Sequence, residues 1–187
     1  MPNHLHFLTL AAAPPDHRDL RGISPGGSDR AGARRQHPHS RAPGRYGPRM
    51  SALPKELRDL IESGPIAHLS TTNANGSPQV SAIWIGLDGD DVVSGHLGWR
   101  TKLRNIERDP RVVLSFDAPR RPGVFLAEHA VLRCHATLEH TGRAWDLLDR
   151  LAKVYLGPEQ TFPAPRAEGW IARYRVDRVG GVGPWTA

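Results

Sequence analysis

From Leu53 onward the apolar positions fall into short periodic blocks separated by turn residues. Leu57, Leu60 and Ile61 recur at helical spacing, and Pro54 suits a first turn, so residues 53–63 are predicted as an amphipathic helix that Gly64-Pro65 stops. Ile66–Thr72 is strand-like. Asn73-Ala74-Asn75-Gly76 then supplies residues that tolerate positive φ, and Gln79–Leu87, with Val80, Ile83, Trp84 and Ile85, reads as the next strand. Asp88-Gly89-Asp90-Asp91 turns into Val92-Val93-Ser94. Three strands on short turns predict a β-meander.

The second half repeats this alternation of periods. Thr101–Asp109 is predicted as a short helix ended by Pro110, and Arg111–Phe116 as a strand. After a loop at 119–123, Val124–Leu138 is the longest strand signal. Ala130, Leu132, Cys134, Ala136 and Leu138 fall on one of its faces, with Arg133, His135 and Thr137 on the other. Thr141–Leu156 is predicted as a helix burying Trp145, Leu148, Leu151, Ala152 and Tyr155. A proline-rich loop follows at 157–165, then a last strand at Trp170–Val179. About six strands without βαβ alternation exclude a doubly wound or (β/α)₈ layout. They predict a mainly β, α+β fold: an antiparallel barrel with peripheral short helices.

Charge changes the picture only at the amino-terminal end. The 187 residues carry a formal charge of +6 and a pI near 10.2, which by itself suggests nucleic acid. Residues 1–49 hold eight arginines, no lysine and three aspartates, which leaves 17 basic and 16 acidic side chains for residues 50–187. The basicity therefore belongs to the tail, and the domain at 50–187 offers no footprint for a duplex. The tail interleaves only Phe7 and Tyr46 with its charges, so single-strand stacking is not expected either. Seven prolines and six glycines in these 49 residues predict disorder. Met50, followed at once by a helix start, reads as a translation start with residues 1–49 as upstream sequence; a genuine basic extension is the alternative.

No run approaches the length of a membrane span, and no Lys or Arg precedes the short apolar run Leu5–Ala13, so neither membrane nor export is expected. The single Cys134 has no internal disulfide partner, which fits a reducing, cytoplasmic setting. The pairs His4/His6 and His37/His39 lie in the arginine-rich tail and read as incidental, so no metal site is expected.

The segment with chemistry is Ser94-Gly95-His96-Leu97-Gly98-Trp99-Arg100-Thr101-Lys102-Leu103-Arg104-Asn105-Ile106. Thr101 is the expected N-cap. Arg100, Lys102 and Arg104 then crowd a helix start that has no acid before Glu107. Cations at the positive end of a helix dipole oppose local stability, by roughly a few tenths of a kcal/mol each. An anion, most simply a phosphate, would gain from the free N–H groups and the side chains together. The alternative is a solvated basic turn. Trp84 and Trp99 are either stacking surfaces or core residues. No dinucleotide fingerprint or P-loop occurs.

Over residues 53–185 the chain resembles the pyridoxamine 5′-phosphate oxidase-like split-barrel superfamily, and within it the flavin/deazaflavin oxidoreductases that use coenzyme F420. The resemblance is carried by Ile66-Ala67-His68-Leu69-Ser70-Thr71, by Asn75-Gly76-Ser77-Pro78-Gln79-Val80-Ser81 with Trp84, and by Arg100-Thr101-Lys102 with Asn105-Ile106. Arg108-Asp109-Pro110-Arg111-Val112 and Gly181-Val182-Gly183-Pro184-Trp185 complete it. It implies a split β-barrel homodimer with the cofactor in a groove at the dimer interface. Arg100 and Lys102 would bind the cofactor phosphate, supported by Thr101 and Asn105. Val80, Ser81 and Trp84 would line its ring or ribityl chain, with Ser94 and His96 approaching from the next strand end and Trp185 closing one side. The implied activity is hydride transfer between a deazaflavin and a conjugated small organic substrate, and His96 is the one candidate proton donor. An FMN-dependent enzyme using the same groove, or a non-catalytic flavin- or deazaflavin-binding module, are the alternatives. True pyridoxamine phosphate oxidases carry a further basic C-terminal motif, and no arginine follows Arg178 here, which argues against that activity.

Overall fold

The structure, a computed structural model, describes residues 52–186. The expectations for residues 1–49 and for a start at Met50 lie outside these residues. The elements run α1 (Lys55–Glu62), β1 (Ala67–Thr72), β2 (Pro78–Ile83), β3 (Gly86–Asp88), β4 (Asp91–His96), α2 (Thr101–Arg108), β5 (Arg111–Asp117), β6 (His129–Thr141), α3 (Arg143–Tyr155) and β7 (Gly169–Val182). A 3-10 turn follows at Pro184–Thr186. The seven strands form one antiparallel sheet in the order β2-β1-β5-β6-β7-β4-β3, and the sheet does not close on itself. The mainly β class with peripheral helices holds, with one strand more than expected.

Two elements follow their apolar pattern closely. α1 buries Leu57, Leu60 and Ile61. β6 turns Ala130, Leu132, Cys134 and Ala136 inward, as its alternation requires. These side chains meet Leu69, Leu103, Leu114 and Tyr174 in the main core. Each fully buried leucine there contributes about 1.5–3 kcal/mol.

The β-meander is corrected. β1–β2 and β3–β4 are separate hairpins at opposite ends of the sheet, because β7 inserts between β6 and β4. The segment 79–87 breaks into two strands at Trp84-Ile85. There the Ile85 N–H donates to the Tyr155 hydroxyl at 3.0 Å instead of to a neighbouring strand. That hydroxyl also lies 2.8 Å from the Pro65 carbonyl and 3.1 Å from that of Ile85. A side chain of α3 thus satisfies the backbone at the break, where the ladder no longer does.

The long strand is corrected too. Its ladder begins at His129, not Val124, and continues to Thr141, because β7 provides a partner as far as Gly169. Val124, Phe125 and Leu126 are exposed in the preceding loop. In α3 the buried stripe is Ala144, Leu147, Leu148, Leu151 and Ala152, while Trp145 and Tyr155 are half-buried. The Trp145 indole N–H donates to the Ala164 carbonyl at 3.1 Å, which fastens the proline-rich loop to the helix.

Candidate functional site

The end of β4, the start of α2 and one face of α3 converge on a cavity of about 310 Å³. It is lined by Ile66, Ala82, Ile83, Trp84, Gly95, His96, Lys102, Leu148 and Phe162. The convergence depends on Gly95. A Cβ at that position would lie 2.7 Å from Leu148 Cγ and 3.1 Å from the Ala144 carbonyl, so only glycine lets α3 pack this closely on β4. Trp84 forms one wall. It stacks on Tyr155 with centroids 5.0 Å apart and planes 10° from parallel, and meets Phe162 edge-on at 6.0 Å.

α2 begins without the help a helix start normally has. Its N-cap is Arg100, in extended conformation and without a side-chain cap, and the first turn holds no acid. This corrects the expectation for Thr101, which is the first helical residue and is exposed. Arg100, Lys102 and Arg104 make no ion pair among the described residues. Arg100 and Arg104 point outward. Lys102 is half-buried, and that burial, reinforced by the neighbouring Arg100 charge, holds its ammonium below the usual lysine range. The cavity wall therefore carries a cation stripped of part of its water and given no acid in exchange.

Opposite this charge the polar groups form a closed chain. His96 is buried, and its Nε2 lies 2.8 Å from Ser94 Oγ, which in turn lies 2.8 Å from the Tyr174 hydroxyl. Ser94 and Tyr174 are fully buried. Burial, with a smaller contribution from Lys102, pushes the His96 pKa down to about 3, and burial raises that of Tyr174. Burial thus favours the neutral imidazole of His96 at physiological pH.

The remaining expected residues divide. Val80 and Ser81 stand on β2, but the neighbouring Ala82 and Ile83 line the cavity instead. Val80 is exposed, and the Ser81 hydroxyl accepts from Gln79 Nε2 at 2.7 Å. Asn105 is buried, and its amide donates to Thr71 Oγ1 and Asn73 Oδ1, each at 3.0 Å. Its carbonyl oxygen accepts from Arg108 at 3.3 Å. These bonds tie α2 to the β1–β2 turn, so its role in this structure is to brace the fold and not to face the cavity. Trp185 is buried in the main core, and its indole N–H has no hydrogen-bond partner among the described residues. Trp99 packs on Trp170 at 4.4 Å, against the core. Ile66, Leu148, Phe162 and Tyr174 were not foreseen as site residues. Leu148 had been assigned to the α3 stripe, and Phe162 lies in a loop without periodicity.

A larger groove, of about 590 Å³, lies elsewhere, between residues of β1, β5, β6 and β7 that include Ser70, Val113, Arg133 and Arg178. It contains none of the expected site residues. Among the described residues no group of three or more His, Cys, Asp or Glu is placed to hold a metal, and no helix is long and apolar enough to cross a membrane.

The family model for pyridoxamine 5′-phosphate oxidase matches residues 53–173, most of the described chain. The chain belongs to the pyridoxamine 5′-phosphate oxidase family. The match covers the strands, α1, α2 and α3 that build the cavity. None of the curated proteins matches the chain. Among solved structures, an F420 reductase is 28% identical, with a TM-score of 0.56, over 68% of this chain and 98% of its own. HupZ of Group A Streptococcus is 16% identical, with a TM-score of 0.53, over 72% of this chain and 97% of its own. A heme binding protein of Mycobacterium smegmatis is 20% identical, with a TM-score of 0.53, over 71% of this chain and 54% of its own. The last two similarities establish the fold alone. Together these findings make the open sheet the split barrel of the pyridoxamine 5′-phosphate oxidase family.

Proposed function

We propose that the protein is an oxidoreductase that binds coenzyme F420 in the cavity beside Lys102 and transfers a hydride between it and a conjugated small organic molecule. The observation that carries this reading is Lys102 itself: a half-buried cation without an acid partner, at the start of an uncapped helix, on the wall of an apolar cavity. A ligand with a phosphate at one end and a flat ring at the other fits that combination. Lys102 and Arg100 would hold the phosphate, and Ala82, Ile83 and Trp84 would flank the ring. The bound deazaflavin supplies the hydride chemistry, while the chain supplies orientation and exclusion of water. The 28% identity to an F420 reductase supports the choice of cofactor. Membership in the pyridoxamine 5′-phosphate oxidase family supports FMN as the second reading.

The active form we propose is a homodimer, with residues 50–187 as the functional domain and the cytoplasm as its location. Val80 and Ile66, apolar and about half exposed beside the cavity, are the surface a second copy would cover. Titration with F420 and with FMN, followed by fluorescence, tests the cofactor, and turnover of reduced F420 with a conjugated acceptor tests the activity. Saturable F420 binding tighter than FMN is expected. Tighter FMN binding transfers the reading to a flavin enzyme, and binding of neither overturns it.

A further inference from the structure

The buried chain from Tyr174 to His96 has more than one arrangement of protons on paper, but only one that the surroundings allow. The Tyr174 hydroxyl has a single hydrogen-bond partner among the described residues, Ser94 Oγ. Ser94 Oγ has two, Tyr174 and His96 Nε2. If Nε2 carried the imidazole proton and donated it to Ser94, one hydroxyl proton would have no acceptor. It would be Tyr174's when Ser94 donates onward, or Ser94's when Tyr174 donates inward. Both residues are fully buried, so bulk solvent does not reach it. A stranded buried donor lowers the population of its arrangement by a factor of about five to a hundred. One arrangement strands neither buried hydroxyl: Tyr174 donates to Ser94, Ser94 donates to His96 Nε2, and the imidazole proton sits on Nδ1, the ring nitrogen left for the cavity.

We propose that Tyr174 and Ser94 lock His96 as the Nδ1–H tautomer, so that a neutral imidazole offers one fixed hydrogen-bond donor to an oxygen of the molecule in the cavity. His96 lines that cavity, and Nδ1 has no partner among the described residues. With Nε2 held by the relay, Nδ1 is the nitrogen left for an occupant. A donor that cannot turn into an acceptor, beside a cation, selects an oxygen and rejects an N–H. Tyr174 and Ser94 act as positioning residues, since neither lines the cavity. Ser94 hydrogen-bonds the ring and Lys102 acts on it through its charge, and neither supplies a negative charge to stabilise an imidazolium. The choice of probes rests on the cofactor reading above; the tautomer does not.

Long-range ¹H–¹⁵N correlation of the full-length protein reads the tautomer directly. His96, one of ten histidines, is assigned by loss of its signals in His96→Asn. The wild type is expected to show protonated Nδ1 and unprotonated Nε2 at pH 7. Ser94→Ala, which removes the hydrogen bond to Nε2, is expected to move the pattern towards a mixture, whereas Tyr174→Phe leaves Nε2 as the one acceptor for Ser94 and is expected to keep Nδ1 protonated. An Nε2–H tautomer or an imidazolium in the wild type overturns the proposal, whatever the cofactor proves to be. Binding of FMN and of riboflavin supplies the second readout. Asn at position 96 keeps an N–H donor near the place of Nδ1 and Gln does not, so His96→Gln is expected to bind about three- to tenfold more weakly than His96→Asn. A difference with FMN alone assigns the contact to the phosphate, and with both ligands to the ring or ribityl oxygens. Equal affinities of the two variants overturn the contact. Failure of the wild type to bind FMN, riboflavin or F420 overturns the cofactor reading and leaves the tautomer to the spectrum.

Discussion

Replacing Lys102 by methionine separates a binding group from a structural one, because the two roles predict opposite signs. Methionine keeps the length and apolar reach of the side chain and removes the charge. In the cofactor-free protein that charge is desolvated, lies beside Arg100 and sits at the positive end of α2. Removing a cation from a helix start relieves about 0.3–1 kcal/mol. For a domain of this size that raises the melting temperature by roughly one to four degrees. The lowered pKa gives the relief its pH dependence: the unfolded chain holds the lysine proton more tightly than the folded one, so the wild type recovers stability as pH rises towards the unfolded lysine range, and Lys102→Met removes that rise. Cofactor binding moves the other way. A charge-assisted hydrogen bond to phosphate contributes about 1.5–3 kcal/mol, so affinity falls by roughly ten- to a hundredfold. Thermal unfolding without ligand and titration with F420 and FMN measure both. A lower melting temperature together with unchanged affinity would refute the reasoning, since it would make Lys102 a buttress of the fold.

His96 gives the ligand-free protein an acid-sensitive window: with a folded pKa of about 3 against about 6.5 unfolded, stability is expected to fall as pH drops from 6.5 towards 3. His96→Asn should flatten that part of a melting-temperature profile, and an unchanged profile would exclude His96 as its source. Gly95→Val should destabilise the protein by about 1–3 kcal/mol and weaken cofactor binding, because the added carbons meet Leu148 and the Ala144 carbonyl; chemical denaturation and titration check the two effects. Light scattering should give a dimer at micromolar concentration and Val80→Asp should shift it towards monomer; a wild-type monomer that binds cofactor tightly would sink the dimer.

Reading the sequence went furthest where one element decides the outcome. The spacing of Leu57, Leu60 and Ile61 and the alternation from Ala130 to Ala136 each describe a face that any sheet of this kind must bury. The crowd of cations at Arg100, Lys102 and Arg104 was visible for the same reason, since it breaks a rule of single helices. Strand order was not visible, because the insertion of β7 beside β4 is a choice among long-range pairings that no local pattern encodes. The relay was hidden likewise: Tyr174 lies 80 residues from Ser94, and a tyrosine among alternating apolar residues shows no sign of its partner. The tryptophans illustrate the ambiguity of large apolar side chains. Trp84 lines the cavity and Trp185 fills the core, although both are equally suited to either place.

The position of β7 also orders events in time. Among the described residues β4, which delivers His96 to the cavity, pairs with the three-residue β3 and with β7. Until residues 169–182 have left the ribosome, β4 therefore has only the three-residue β3 as a strand partner, and the Ser94 and His96 side chains lack the tyrosine that orients them. The β2-β1-β5-β6 part of the sheet is contiguous without β7, whereas the proposed cofactor cavity is complete only once β7 has paired with β4. Such late pairing between distant segments is slow. A ligand that bound only the completed sheet would draw folding to its end and raise the fraction of chains in the finished state.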